Sequence, residues 1–471
     1  MNARTREQGW VPQIAGVEGP IYLAVADAIG TAVATGELPA GTRLPTHRAL
    51  ADAMGVDLTT ATRAYAEARR RGLLQATVGR GTFVRSPEQP APARPAAQEG
   101  PVDLAMNLPP VPVDPPLDGL LQQGLSRLLA GGRTAEILTY RPGCGTAEER
   151  EAGASWLRPV LGEVDPGRVL VCPGAQPALA AALGTLASPG DVVLTEALTY
   201  PGIRGAAAQL GLRLAGVAAD AEGLVPEALE EACRKLRPKV LCCVPTVQNP
   251  TTATMPPARR RAVAEVAQRH GLGIVEDDAY GLLPSAPLPA LTSLAPGIGT
   301  YVATVSKVIS PALRMAYLVA PDARAAARLG AAVRANVLMA SPLLTGVMTA
   351  WIEDGTAGTV VSAIRRESAA RQKAAREILP AGSFDAHPEG LHLWLRLPPR
   401  WDRRDFVSHL RRQDGLAVVP SDAFVAAADG AAPDAVRVSL GAAPDLAGLK
   451  VALQAVAAAL RDEAPAFAEV V

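Results

Sequence analysis

Apolar positions recur every three to four residues over Pro20–Thr35, where Ile21, Val25, Ile29 and Val33 mark one face of a helix. A second helix is predicted over Leu50–Met54, with Thr46 of Pro45-Thr46 as a cap, and a third over Leu58–Gly72, capped by Asp57 of the turn Gly55-Val56-Asp57. Leu73–Thr77 and Gly81–Arg85 read as two short strands joined by Val78-Gly79-Arg80, a small β-wing. The pattern then lapses. Ser86–Pro101 is rich in proline and almost without large apolar residues, so it cannot bury enough surface to offset its ordering entropy and reads as an extended linker.

Beyond the linker, short apolar runs alternate with Ala-rich helical stretches. The runs are Val169–Cys172, Val192–Thr195, Lys239–Val244, Gly273–Glu276, Tyr301–Val305 and Met315–Val319. That alternation predicts an α/β domain with a mostly parallel sheet. From about Ala331 a long helical region precedes strands at Leu391–Leu397, Leu416–Val419 and Val436–Leu440, which suggests a smaller α+β part. The expected organisation is residues 1–85, a linker over 86–101, and 102–471, with a large part at about 140–330 and a small part at about 331–471.

Composition narrows the function classes. The chain has 471 residues, 49% hydrophobic and 20% charged, with a formal net charge of zero, so contact with nucleic acid has to come from a local basic patch. The first residues lack the apolar run of a signal peptide, and no apolar stretch is long enough to span a bilayer. The five cysteines are odd in number and form no C-x-x-C pair, and the five histidines are scattered. A cytoplasmic, metal-free protein is expected.

The first part reads as a DNA-binding module. A helix–turn–helix lays its second helix in the major groove, where its first residues meet base edges. Thr59, Thr60 and Arg63 occupy that first turn and a half. Arg43 and Arg48 flank the preceding helix, where a guanidinium fork suits phosphate or guanine. Gly79-Arg80-Gly81 would bring Arg80 close to the backbone at the wing tip. The run from Gly41 to Ala51, with Gly55-Val56, Thr59-Thr60-Ala61, Tyr65, Gly72 and Gly79–Val84, resembles the GntR family of winged helix–turn–helix regulators over roughly residues 18–85. It departs from that family at Leu58, where an arginine commonly precedes the threonine pair. One charged contact is thereby lost, or the preferred sequence is shifted.

The second part carries the groups that pyridoxal 5′-phosphate (PLP) chemistry requires: a lysine, an acid for the pyridine nitrogen and donors for the phosphate. Lys307 ends an apolar strand in Thr304-Val305-Ser306-Lys307, and a buried lysine loses its proton readily and becomes a nucleophile. Ser306 and Arg314 are spaced to reach one phosphate. In Glu276-Asp277-Asp278-Ala279-Tyr280, Asp277 ends a strand where ligands of open α/β sheets bind. Asp278 is its competitor, and strand alternation favours Asp277. Tyr280 and Asn249 can reach a ring oxygen. Gly174-Ala175-Gln176 precedes Pro177 and a helix, so its free N–H groups form an anion cradle. Tyr200 can stack on a flat ring.

Residues from about 103 to 460 resemble the fold-type I aminotransferases, on Tyr140 with Gly145 and Arg150, Gly174-Ala175-Gln176, Tyr200-Pro201-Gly202, Asn249-Pro250, Asp277 with Tyr280, Ser306-Lys307 with Arg314, and Arg437. The resemblance implies an internal aldimine at Lys307, Asp277 on the pyridinium, and Asn249 and Tyr280 on the ring oxygen. It further implies Tyr200 stacking and a phosphate held by Arg314, Ser306, Gly174, Ala175 and Thr304, with Tyr140 reaching it from a partner subunit. Arg437 would grip a substrate α-carboxylate. The two halves together resemble the MocR/GabR type of regulator. This implies a head-to-tail homodimer that binds a double-stranded DNA operator and senses an amine, an amino acid or PLP itself. The alternative is a working aminotransferase with an accessory N-terminal domain.

Overall fold

The computed structural model describes residues 10–12, 20–39, 41–71, 73–77, 81–84, 102–132, 134–141, 143–427 and 430–462. The chain divides into two compact units, Met1–Ala96 and Ala97–Val471.

The first unit holds helices α1 (Ile21–Ala34), α2 (His47–Met54) and α3 (Leu58–Arg70), followed by strands β1 (Leu74–Thr77) and β2 (Gly81–Val84). Helix α2 begins three residues before the predicted start. Thr46 accepts from the backbone of Ala49, so the Thr46 cap rather than the first apolar residue sets the boundary. Gly55, in the left-handed region, ends α2, and Asp57 caps α3 through the backbone N–H of Thr60. Val25, Ile29, Leu50, Ala61, Tyr65 and Leu74 are buried together as one small core. The Tyr65 hydroxyl donates to the carbonyl of Pro45 at 2.9 Å and fixes the entry to α2. The segment before α2 pairs with the wing, since Leu44 N donates to Thr82 O and Val84 N to Thr42 O.

The second unit is built on a seven-stranded sheet. Its strands are β3 (Val169–Cys172), β4 (Val192–Glu196), β5 (Arg213–Val217), β8 (Val240–Cys243), β9 (Gly273–Asp278), β10 (Gly299–Thr304) and β11 (Ala316–Val319). A two-stranded ribbon of β6 (Ala219–Asp220) and β7 (Gly223–Leu224) lies between β5 and β8 in the chain. The sheet order is β3-β11-β10-β9-β8-β4-β5. Pairs from β10 to β5 are parallel, and β11 runs antiparallel to both neighbours. Both faces are covered: Ile274 packs with Val263 and Leu194 on one side, and Val275 with Leu179 and Val302 on the other. Full burial explains the continuous apolar runs of these strands. Strand β5 escaped the sequence reading because it is an edge strand with Arg213 and Gly216 exposed, so its apolar signal is weak.

A four-stranded antiparallel sheet, order β12-β13-β15-β14, forms the smaller part. It comprises β12 (Phe384–Asp385), β13 (His392–Arg396), β14 (Val419–Pro420) and β15 (Ala435–Ser439). Helices Thr356–Ile378, Arg403–Gln413 and Leu446–Ala459 bury Ala375, Phe406, Leu410, Leu449 and Leu453 against it. Of the strand predicted over Leu416–Val419, only Val419 joins this sheet. Ala417 instead bridges Asp103, and its N–H donates to Val102 O, because the chain entering the unit lies alongside it. This entering strap continues over Gly441, where a Cβ would stand 1.9 Å from the Leu108 carbonyl oxygen, so only glycine permits the crossing. Among the described residues no helix is long and apolar enough to cross a membrane.

Candidate functional site

A cavity of about 410 Å³ opens where β8, β9 and β10 end, bounded by the strap, the N-terminus of the helix Ala175–Leu186 and the smaller sheet. It gathers Ala175, Gln176, Tyr200, Asn249, Asp277, Tyr280, Thr304, Ser306, Lys307, Arg314 and Arg437 into its wall.

Strand alternation on β9 separates three consecutive acids. Glu276 accepts from the backbone N–H groups of Leu291 and Thr292 at 3.1 and 2.8 Å, and Asp278 accepts from the Tyr301 hydroxyl at 2.7 Å. Both therefore serve the protein's interior. Asp277 lies on the opposite face, 5% exposed, at the cavity, with no hydrogen bond or ion pair among the described residues. Burial, reinforced by the charges of Asp278 and Glu196 and opposed by Lys307, pushes its carboxyl up to about 7.

Lys307 follows β10 and is the counterpart of Asp277. Burial first, then the positive charge of Arg437, lowers its ammonium to about 8, while Asp277 pulls it back upward. Its Nζ donates to the backbone carbonyl of Asn107. An amine so near neutrality is available as a nucleophile at physiological pH.

Donors for an anion converge at one end. Gly174 holds φ +104° before the helix Ala175–Leu186, whose first N–H groups lack intrahelical partners. The Thr304 and Ser306 hydroxyls are 3.0 Å apart, and Thr304 also donates to Met315 O at 3.2 Å. Arg314 is exposed and has no carboxylate partner among the described residues; its Nη2 lies 3.4 Å from where a Gly174 Cβ would be. Gln176 sends its amide to the Gly202 carbonyl at 2.7 Å, which ties the loop of Tyr200 to this cradle.

At the other end Arg437, on β15, is 7% exposed and meets no carboxylate among the described residues. Its guanidinium donates to Oδ1 of Asn249 at 2.9 Å and to the carbonyl of Ala105, lies 5.1 Å from the Phe424 ring centroid, and keeps a buried Nε that has no partner among the described residues. A buried cation with only neutral partners is costly, and it fits an anionic ligand.

Two expected residues stand apart. Tyr140 is 81% exposed and outside this cavity's wall. Arg80 lies outside the described residues. In the first unit Arg43, Arg48 and Thr59 are exposed, the Thr60 hydroxyl is engaged by Asp57 at 2.6 Å, and the Arg63 guanidinium lies 4.2 Å from the Tyr22 ring centroid.

The sequence reading missed Asn107 and His392. Nδ2 of Asn107 donates to the Tyr280 hydroxyl at 2.8 Å and lies 3.3 Å from Nδ1 of His392. Both residues are buried, and burial lowers His392 to about 3, so its ring is neutral.

The donor set fits PLP. An amine near neutrality, a carboxyl and a guanidinium beside a helix N-terminus that have no partners for their charges among the described residues, and two hydroxyl-bearing residues match the aldehyde, ring nitrogen and phosphate of that cofactor.

Residues 102–456 match the family Aminotransferase class I and II, and residues 21–84 match the bacterial regulatory proteins of the gntR family. The chain is 30% identical over 445 residues to the uncharacterized HTH-type transcriptional regulator YdeF of Bacillus subtilis, covering 94% of this chain and 95% of that one. It is 27% identical to the vitamin B6 salvage pathway transcriptional repressor PtsJ of Salmonella typhimurium, covering 81% and 86%. Among solved structures it resembles LysN, the α-aminoadipate aminotransferase of Thermus thermophilus complexed with N-(5′-phosphopyridoxyl)-L-leucine. That match has TM-score 0.68 and 28% identity, and covers 84% of this chain and 98% of that one. The chain belongs to the MocR-type transcription regulators, in which a gntR-family DNA-binding unit is joined to a PLP-dependent aminotransferase class I and II body.

Proposed function

We propose that this regulator adjusts its operator binding when an amino acid or amine reaches the cofactor at Lys307. The observation that carries the reading is the pairing, in one cavity, of Lys307, whose ammonium is lowered to about 8, with a buried Arg437 that meets no carboxylate among the described residues. When bound, PLP supplies an aldehyde that exchanges reversibly between amines and a ring that accepts electrons.

Lys307 would supply the amine that holds the aldehyde, and its lowered basicity would let it take up or release a proton near neutral pH. Asp277 holds the ring nitrogen protonated. Tyr280 and Asn249 serve the ring oxygen, Tyr200 stacks, and Arg314, Ser306, Thr304 and the Gly174-Ala175-Gln176 turn hold the phosphate. Arg437 takes the effector's carboxylate. Lys307 follows the large sheet and Arg437 lies on the small one, so a ligand engaging both draws the two sheets together. That differential contact is what a ligand needs to shift a conformational equilibrium. In a head-to-tail homodimer, Tyr140 would complete the partner's phosphate site. Arg43, Arg48, Thr59, Thr60, Arg63 and Arg80 contact the operator.

The complete set of reactive groups also supports a second reading, a working aminotransferase. The vitamin B6 salvage role of PtsJ supports a third, sensing of PLP itself. A gel shift on the protein's own upstream DNA separates them. A change of affinity with PLP plus one amino acid, absent in Lys307→Ala, is the expected result. A change with PLP alone favours cofactor sensing. Steady turnover of an amino acid with a keto acid, without operator binding, overturns the regulator reading.

A further inference from the structure

Asn107 sits at the centre of a buried chain of polar groups whose directions are mutually fixed. The chain starts at the backbone carbonyl of Gln248, which is 3.2 Å from Nε2 of His392. A carbonyl only accepts, so Nε2 carries the single proton of this neutral imidazole and Nδ1 is left as an acceptor. Nδ1 faces Nδ2 of Asn107 at 3.3 Å. The amide therefore presents its NH₂ group, not its oxygen, to His392, and its other N–H is directed at the Tyr280 hydroxyl at 2.8 Å. Turning the amide over would set Oδ1 against a lone pair on Nδ1. Because the Tyr280 oxygen accepts from Asn107, its own proton has to point elsewhere. Among the described residues no acceptor takes it, and Tyr280 forms part of the cavity wall.

We infer that Asn107 is a positioning residue that holds the Tyr280 hydroxyl as a donor aimed into the cavity, toward the ring oxygen of the cofactor. The inference rests on the PLP reading of the site. The backbone of Asn107 has a separate part, since its carbonyl accepts from Lys307, and side-chain substitution leaves that carbonyl in place. Donation from Tyr280 favours negative charge on the ring oxygen and so lets the bound chromophore lose its proton at lower pH. The charged groups facing it are Lys307, Asp277, Arg314 and Arg437, with the Tyr200 phenol alongside.

The test is a pH titration of the visible absorption band of the full chain reconstituted with PLP, with a thermal melt of each variant as a folding check. Tyr280→Phe is expected to raise the midpoint by about one pH unit and Asn107→Ala by about half a unit, the scale of one hydrogen bond. Asn107→Asp keeps the shape but captures the Tyr280 proton. It should raise the midpoint at least as much as Asn107→Ala. In the Tyr280→Phe background, Asn107→Ala should add nothing.

An unmoved midpoint in Asn107→Ala, an Asn107→Asp variant that titrates like the wild type, or a shift that persists undiminished without the Tyr280 hydroxyl would overturn the role of Asn107 alone. A wild-type chain that forms no visible band would overturn the PLP reading and this inference together.

Discussion

Nη1 of Arg437 donates to Oδ1 of Asn249 at 2.9 Å. The bond joins β15 of the small sheet to the loop after β8 of the large one. It also orients the Asn249 amide: with Oδ1 engaged, Nδ2 is the end left to serve the cavity. One guanidinium thus aligns a neighbouring amide, and among the described residues its remaining Nε has no partner.

Arg437→Gln should separate effector binding from cofactor binding. The substitution removes the charge that a carboxylate would meet and keeps a polar group near Asn249. Hydrogen bonds to charged groups contribute roughly 1.5–3 kcal/mol, so affinity for an amino-acid effector should fall by about tenfold to a hundredfold. The visible band of bound PLP should persist. Titrating that band with an amino acid and with its decarboxylated amine is the check: the wild type prefers the acid, and the variant loses that preference.

Gly202→Ala should disturb the ring platform. A Cβ there would stand 2.2 Å from the Tyr200 ring and 2.3 Å from Oε1 of Gln176, and the latter is buried. Gln176 is tied to the Gly202 carbonyl through its Nε2 at 2.7 Å, so the Tyr200 ring is the neighbour that has to move. Overpacking of this kind costs about 1–3 kcal/mol. A lower melting temperature together with weaker PLP binding, measured by absorption, is expected.

Much of the site was legible because its groups follow β8, β9 and β10, where parallel strands end together. Lys307 and Asp277 each close an apolar run, and alternation alone separates Asp277 from Asp278. Asn107 left no such mark. It lies in an extended strap with no periodic pattern, 173 residues before its partner Tyr280, and only the fold brings them together. His392 begins β13, and nothing in its neighbours foretells that its ring points into a polar network. The edge strand β5 was hidden for a related reason, since half-exposed positions dilute the apolar signal.

The cofactor-free protein should carry an opposed pair of pH dependences. The Asp277 carboxyl moves from its ordinary 3.8 up to about 7 on folding, so the folded state holds a proton that the unfolded chain gives up. Its stabilising share is complete below about pH 4 and is lost as the pH rises to about 7. His392 moves the other way, from 6.5 to about 3, so its share is present above about pH 6.5 and is lost as the pH falls toward 3. The two slopes overlap, and a single variant isolates one. Asp277→Asn should raise stability by on the order of 3 kcal/mol at pH 7.5 and by little at pH 4. Urea unfolding at both pH values is the check, and equal gains at the two would contradict the assignment.

Leu58 offers the sharpest test of the DNA-binding unit, because two effects of known sign compete there. It is the first residue of α3 and is 51% exposed, an apolar side chain on the helix turn that carries Thr59. Leu58→Arg places a cation at a helix N-terminus, which costs about 0.3–1 kcal/mol through the helix dipole, although Asp57 next to it offsets part of that. On DNA the same guanidinium gains a phosphate or a base edge and releases a counterion. The variant should therefore melt slightly lower yet bind its operator more tightly, with a salt dependence steeper by about one. Arg43→Ala should do the reverse, weakening binding uniformly across sequences and reducing the salt slope by about one. Fluorescence anisotropy between about 50 and about 200 mM salt reads both slopes. If Leu58→Arg left slope and affinity unchanged, α3 would not approach the DNA backbone through its first turn.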